Sequence, residues 1–155
     1  MDIHIENCNS GNIGNKGRLA RWGVNIETTC ALFQQGTETV QHSFFECEMT
    51  GTIWQQLLHW QGIQRKKLIW QEELAWIQRA AKGRSGGATL CRMTLAAVVY
   101  YIWQERNNTI FKQKIRTSAS IVRMIIQEIH IRATMFPRLE RTITKENLHL
   151  DTMEQ

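Results

Sequence analysis

From residue 50 onward apolar positions recur at spacings of three and four, the period of an α-helix with one face turned inward. The first such stretch spans Thr50 to Trp60, with Ile53, Trp54, Leu57 and Leu58 on one face, Thr50 placed as its cap and Gly62 just beyond its end. The second spans Ile69 to Lys82, where Trp70, Leu74, Ile77 and Ala81 repeat at helical intervals. A third, Ala88 to Lys112, is apolar most of the way round, which predicts a central, largely buried helix. The fourth, Ser118 to Met135, has a stripe of Val122, Ile125, Ile126, Ile129, Ala133 and Phe136, and is stopped by Pro137. Runs alternating with the period of two that marks strands are missing from the sequence. The expected fold is mainly α, a small bundle of about four helices with an irregular N-terminal Cys/His knuckle.

Three segments follow from this patterning. Residues 1–17, with four Asn and three Gly and no periodicity, read as a disordered leader. Residues 18–136 form the helical domain, and residues 137–155 a polar tail that frays. Within the domain, Arg18 to Gly23 can make a short helical turn, and a hairpin is expected at Gln34-Gln35-Gly36. Phe44 and Phe45 would anchor the knuckle, while Trp54, Trp70 and Trp103 fit core positions. His130 falls off the apolar stripe and reads as a surface histidine.

Charge adds an asymmetry. The 155-residue chain carries a net +5, but residues 64–123 hold 12 Lys or Arg against Glu72, Glu73 and Glu105. A basic middle of this kind suits phosphates; it equally suits a solvated helical surface. The N-terminus lacks the apolar core of a signal peptide, and four scattered cysteines fit a reducing compartment. The longest apolar run, Leu95 to Trp103, is far short of a membrane span. The expectation is an intracellular protein, cytoplasmic or nuclear and not secreted, with no membrane partner.

The candidate chemistry lies ahead of the first helix. Cys30, His42 and Cys47 occupy three places of a Cys-x2-Cys-x8-His-x4-Cys pattern, and Phe33 stands at the remaining ligand position. A structural zinc closes a tetrahedral shell of four Cys or His ligands. Three ligands leave a position for water or for a neighbour such as Glu38 or His59, so zinc binding is expected to be weak or absent. On the alternative reading, Cys30 and Cys47 are small buried hydrophobes and His42 is satisfied locally.

RLARWGV, then Cys30, then ETVQHSFFEC, then IWQQLLHW, follow one another in that order, and WQEELAWI and LAAVVYYIWQERNNTIF come after. In this order they resemble the zinc-binding region that lies downstream of the polymerase core in plant LINE-type non-LTR retrotransposon reverse transcriptases. The resemblance covers about residues 16–135. It implies metal ligands at Cys30, His42 and Cys47, with Phe33 replacing the family's second cysteine. In that family a further apolar segment precedes the RLARWG-like motif, so the chain reads as a truncated piece.

Catalysis is not expected. The two aspartates, Asp2 and Asp151, lie near the ends, whereas polymerase, ribonuclease H and two-metal nuclease sites need clustered acids to hold Mg2+. Gly83 to Gly87 formally matches G-x-S-x-G, but a helix rather than a strand precedes Ser85, which argues against a nucleophile elbow. No small-molecule substrate is expected. One expected function is binding of RNA or single-stranded DNA, with Arg18, Arg21, Arg65, Lys66, Lys67, Arg84 and Lys114 contacting phosphates. The alternatives are a protein-interaction module using Ile121 and Met124, or a degenerate remnant with no selected role.

Overall fold

The computed structural model describes residues 29–145 except 35, 38 and 40, together with residue 148. The expected leader, Arg18, Arg21, Trp22 and Glu38 lie outside the described residues. Five α-helices follow a π-helical turn at His42–Glu46: α1 (Glu48–Trp60), α2 (Trp70–Ala80), α3 (Gly86–Lys112), α4 (Ser118–Ala133) and α5 (Pro137–Lys145). No strand occurs among the described residues, whose one β feature is an isolated antiparallel bridge between Thr29 and Thr37. The mainly α bundle is as the patterning predicts, with one helix more than expected.

Helix α1 buries Ile53, Trp54, Leu57 and Leu58 completely or nearly so, against α4 and α3. At about 1.5–3 kcal/mol per buried large apolar side chain, this face is a principal source of stability. Its C-terminus closes as a Schellman motif. Gly62, at φ 74°, lets its own N–H reach the His59 carbonyl while the Ile63 N–H reaches that of Leu58. Thr50 is not the cap: the helix starts earlier, behind Cys47, and the Thr50 hydroxyl turns back to donate to the Cys47 carbonyl at 3.2 Å. Phe45 is the buried member of the aromatic pair, 5.5 Å from the rings of both Trp54 and Trp70.

Two glutamates hold the interhelical loops. Glu73 of α2 is fully buried, accepts from the Trp54 indole at 2.7 Å and the Leu68 amide at 2.8 Å, and pairs with Arg65. Arg65 also stacks on Trp76, 3.9 Å from the ring centre. Glu105 of α3 is likewise buried and holds both the Arg116 guanidinium, at 3.2 Å, and the Arg116 backbone amide, at 3.0 Å. Each carboxylate is desolvated but charge-paired, the arrangement a buried acid requires.

Several expectations need correction. Helix α3 is buried on one face only, through Leu90, Cys91, Thr94, Val98 and Ile102, while Val99, Tyr100 and Trp103 face outward. Trp103 is 54% exposed, so it is not a core residue. Helix α4 packs against α1, α3 and α5 together, which buries a broad face and draws in Ile121 at 0% exposure. Ile121 therefore cannot serve as a docking residue, and Phe136, expected in the stripe, is exposed past the helix end. His130 is partly buried, its ring 6.0 Å from that of Trp60. Pro137 opens α5 instead of simply ending α4, since a proline at the first helical position lacks only an N–H that would have no partner there. Residues Pro137–Lys145, expected within a polar tail, bury Leu139 and Ile143 one turn apart. None of the described helices is long and apolar enough to cross a membrane.

Candidate metal centre

The spacing His-x4-Cys would place its two residues about 140° apart on an ordinary α-helix, at 100° per residue. Here the chain between them winds as a π turn, whose i→i+5 hydrogen bond runs from the Cys47 amide to the His42 carbonyl at 2.6 Å. That wider turn brings residues five apart onto one side. Thr39 fixes its start, its hydroxyl oxygen accepting from the His42 amide at 3.0 Å. Cys47 then stands at the N-cap of α1, where first-turn amides and the helix dipole favour a negative sulfur.

Cys30 is brought in by a tight reversal. The Gln34 amide donates to the Cys30 carbonyl at 2.9 Å, and the Cys30 amide to the Gly36 carbonyl at 3.0 Å. Both Gln34 and Gly36 take left-handed backbone angles, φ 54° and 73°. The hairpin expected at these residues is therefore a compact loop closed by the Thr29–Thr37 bridge. A side chain at Gly36 would put its Cβ 3.1 Å from His42 Cε1, so the bare glycine backbone makes the cradle for the imidazole.

The donor atoms of Cys30, His42 and Cys47 all lie within 4.8 Å of one another. The two sulfurs, both buried, are 3.9 Å apart, within hydrogen-bond reach of each other. Chiefly through this hydrogen bond with Cys47, and with help from the Phe33 and Leu32 amides, the Cys30 thiol is pulled down to about 5 despite its burial. The bond to Cys30 and burial push the Cys47 thiol up, against the pull of the Thr50 and Met49 amides. The pair thus favours the thiolate form of Cys30 over that of Cys47. His42 Nε2 is buried and makes no hydrogen bond among the described residues, an orphaned polar atom beside two sulfurs.

Residues 8–54 match the family model described as zinc-binding in reverse transcriptase. No curated protein and no solved structure matches the chain. The matched segment begins within the stretch read as leader and ends inside α1, so it contains the whole Cys–His–Cys group. The family model it matches is described as zinc-binding and not as a catalytic domain. Two thiols, an imidazole with a free buried nitrogen and amides directed at both sulfurs are a donor set that fits zinc.

The replaced ligand is accounted for. Phe33 is partly buried against the core and lines a groove with Met49, Thr52, the loop residues Ile115 to Thr117 and Ser118 at the start of α4. Neither expected substitute joins the donors among the described residues: His59 is exposed and its Nδ1 lies 3.1 Å from Gln64 Nε2, and Glu38 is outside those residues. Cys91 is buried on α3 apart from the group, and burial raises its thiol, which makes it an inert packing residue.

The nominated phosphate contacts fare unevenly. Arg65 is committed to Glu73 and Trp76. Lys66 and Lys114 are exposed, and Lys67 is tied to the metal-side turn, its ammonium donating to the Phe45 carbonyl at 3.2 Å. Ser85 is the N-cap of α3, accepting from the Ala88 amide at 3.1 Å, a role that explains the serine without nucleophilic chemistry. Sequence reasoning missed the Gly36 cradle, although a glycine six residues before the histidine was the available signal.

Proposed function

We propose that this chain is a non-catalytic, reverse-transcriptase-derived module in which Cys30, His42 and Cys47 hold one zinc ion and the helices present a basic surface to single-stranded nucleic acid. The observation that carries the metal reading is the convergence of the three donors within 4.8 Å inside the matched segment. Bound zinc supplies a cross-link between the Cys30 loop, the π turn and the start of α1. With three protein ligands the site binds more weakly than a closed four-ligand one. Cobalt(II) substitution tests it: two thiolates on the ion give intense charge-transfer absorption that disappears in Cys30→Ser. A spectrum showing only oxygen or nitrogen ligation would contradict the assignment.

The nucleic-acid half of the reading is supported by charge. Glu73 and Glu105 are buried with Arg65 and Arg116 as partners, so Glu72 is the one acid of residues 64–123 outside such pairs, against ten further Lys or Arg. Gel retardation of a single-stranded oligonucleotide at low salt is the check, and no retardation would remove this half.

A second reading is favoured by the outward face of α3, where Tyr100 and Trp103 are 55% and 54% exposed beside Val99. Protein docking there would be insensitive to salt and lost on Trp103→Glu. Unchanged capture by that variant would dismiss it.

A further inference from the structure

Helix α5 lies directly on the first turn of α3. Gly86 opens α3, and a Cβ there would collide with the Thr142 side chain and come within 2.8 Å of the Arg138 carbonyl. The contact is possible only because Gly86 has no side chain, and it buries Leu139 and Ile143 beneath α5. The flank of α5 beside this contact is basic. Arg138, Arg141 and Lys145 follow one another at i, i+3 and i+7, which spreads three cations over about 10 Å of helix.

Arg84, from the loop before α3, completes the group. The four cations line an open groove of about 390 Å³ with Ser85, Gly86 and Thr142, and no acid lines it. Glu140, the one acid of α5, is not part of the lining. None of the four is paired with a carboxylate among the described residues. Arg138 donates to the Arg84 carbonyl at 3.4 Å and Arg141 to the Pro137 carbonyl at 3.1 Å, contacts that orient the side chains without neutralising them. The positive end of the 27-residue α3 adds to the same field.

We propose that this groove between the start of α3 and α5 is a track for the phosphate backbone of single-stranded nucleic acid, with Arg84, Arg138, Arg141 and Lys145 as its contacts. The inference rests on the nucleic-acid reading above and gives it a place. An extended row of cations suits a chain of phosphates better than one isolated anion. The lining has no aromatic ring on which a base could stack and no apolar side chain for an acyl chain or a peptide anchor. Binding is therefore indifferent to base sequence, and RNA and DNA bind alike.

The test is fluorescence anisotropy of labelled oligo-dT and oligo-U against salt. The wild-type chain is compared with the triple variant Arg84→Gln, Arg141→Gln, Lys145→Gln and with a control, Lys112→Gln, Arg123→Gln, that changes exposed cations outside the groove. All the altered side chains are exposed, so circular dichroism should show unchanged helix content. The triple variant should bind at least about tenfold more weakly at low salt and lower the slope of log affinity against log salt by about 2, at roughly 0.7 per phosphate contact. The control should keep most of both. Binding that survives in the triple variant with an unchanged slope overturns the groove and leaves the broader reading standing. No binding by the wild-type chain at low salt overturns both.

Discussion

Gly36 and Gly62 share nearly the same backbone torsion, φ 73° and 74°, but they differ in what lies beside them. Gly62 has nothing within 4 Å of where a Cβ would stand, whereas at Gly36 that atom would press on the His42 ring. Alanine at either position strains the backbone by about 1–2 kcal/mol, so both variants should lose similar thermal stability. Only Gly36→Ala should also lose zinc affinity, by about 10–100-fold, as when a ligand's supporting shell is disturbed. Equal zinc affinity of the two variants, read by competition with a chromophoric chelator, would show that the imidazole is not held as described. The convergence of Cys30, His42 and Cys47 was legible because their spacing is local: each loop is short and the chain itself brings the donor atoms near. The cradle was not, because a glycine's role is defined by the neighbour it admits.

Buried acids show the same limit at the scale of elements. By sequence, Glu73 and Glu105 were two of the three acids of a basic middle; in the fold they lie inside it, holding arginines 8 and 11 residues away. Burial alone would raise the Glu73 carboxyl. The hydrogen bonds from Arg65, Trp54 and the Leu68 amide outweigh it and hold the group below the usual carboxylate range. A lowered folded-state value means that the contribution is present above the unfolded carboxylate range and is lost as pH falls through the folded one. Urea midpoints of the wild type should therefore drop in that acid window, while Glu73→Gln, less stable by about 1–3 kcal/mol at neutral pH, should show a flatter profile. Parallel profiles would contradict the role given to Glu73.

Helix spans were readable to within about two residues because their end signals and stripes are local, as at Gly62. Helix α5 was not. Proline is a stop signal for the preceding helix and a start signal for the next, and the stripe beyond it is a single pair, Leu139 and Ile143. Its docking can be tested at two adjacent glycines. Gly86→Ala should lower stability by more than about 1 kcal/mol, since backbone of α5 must shift. Gly87→Ala, with open space at its Cβ, should be neutral or stabilising by up to about 1 kcal/mol. Thermal melts giving the reverse order would mean that α5 does not rest on α3 in this way.

At the scale of the whole molecule, the metal-side knuckle and the helical bundle meet at Cys47, which is both a donor and the N-cap of α1, the helix that packs on α3 and α4. Apolar patterning made the bundle legible in advance. The outward Trp103 and inward Ile121 were misread because periodicity marks a face but not how many neighbours cover it. The central claim is that three donors are enough. Elemental analysis of the protein, purified at neutral pH without chelator, measures this directly. The account predicts close to one zinc per chain, falling to background in Cys30→Ser, and zinc far below equimolar and unchanged by that substitution would contradict it.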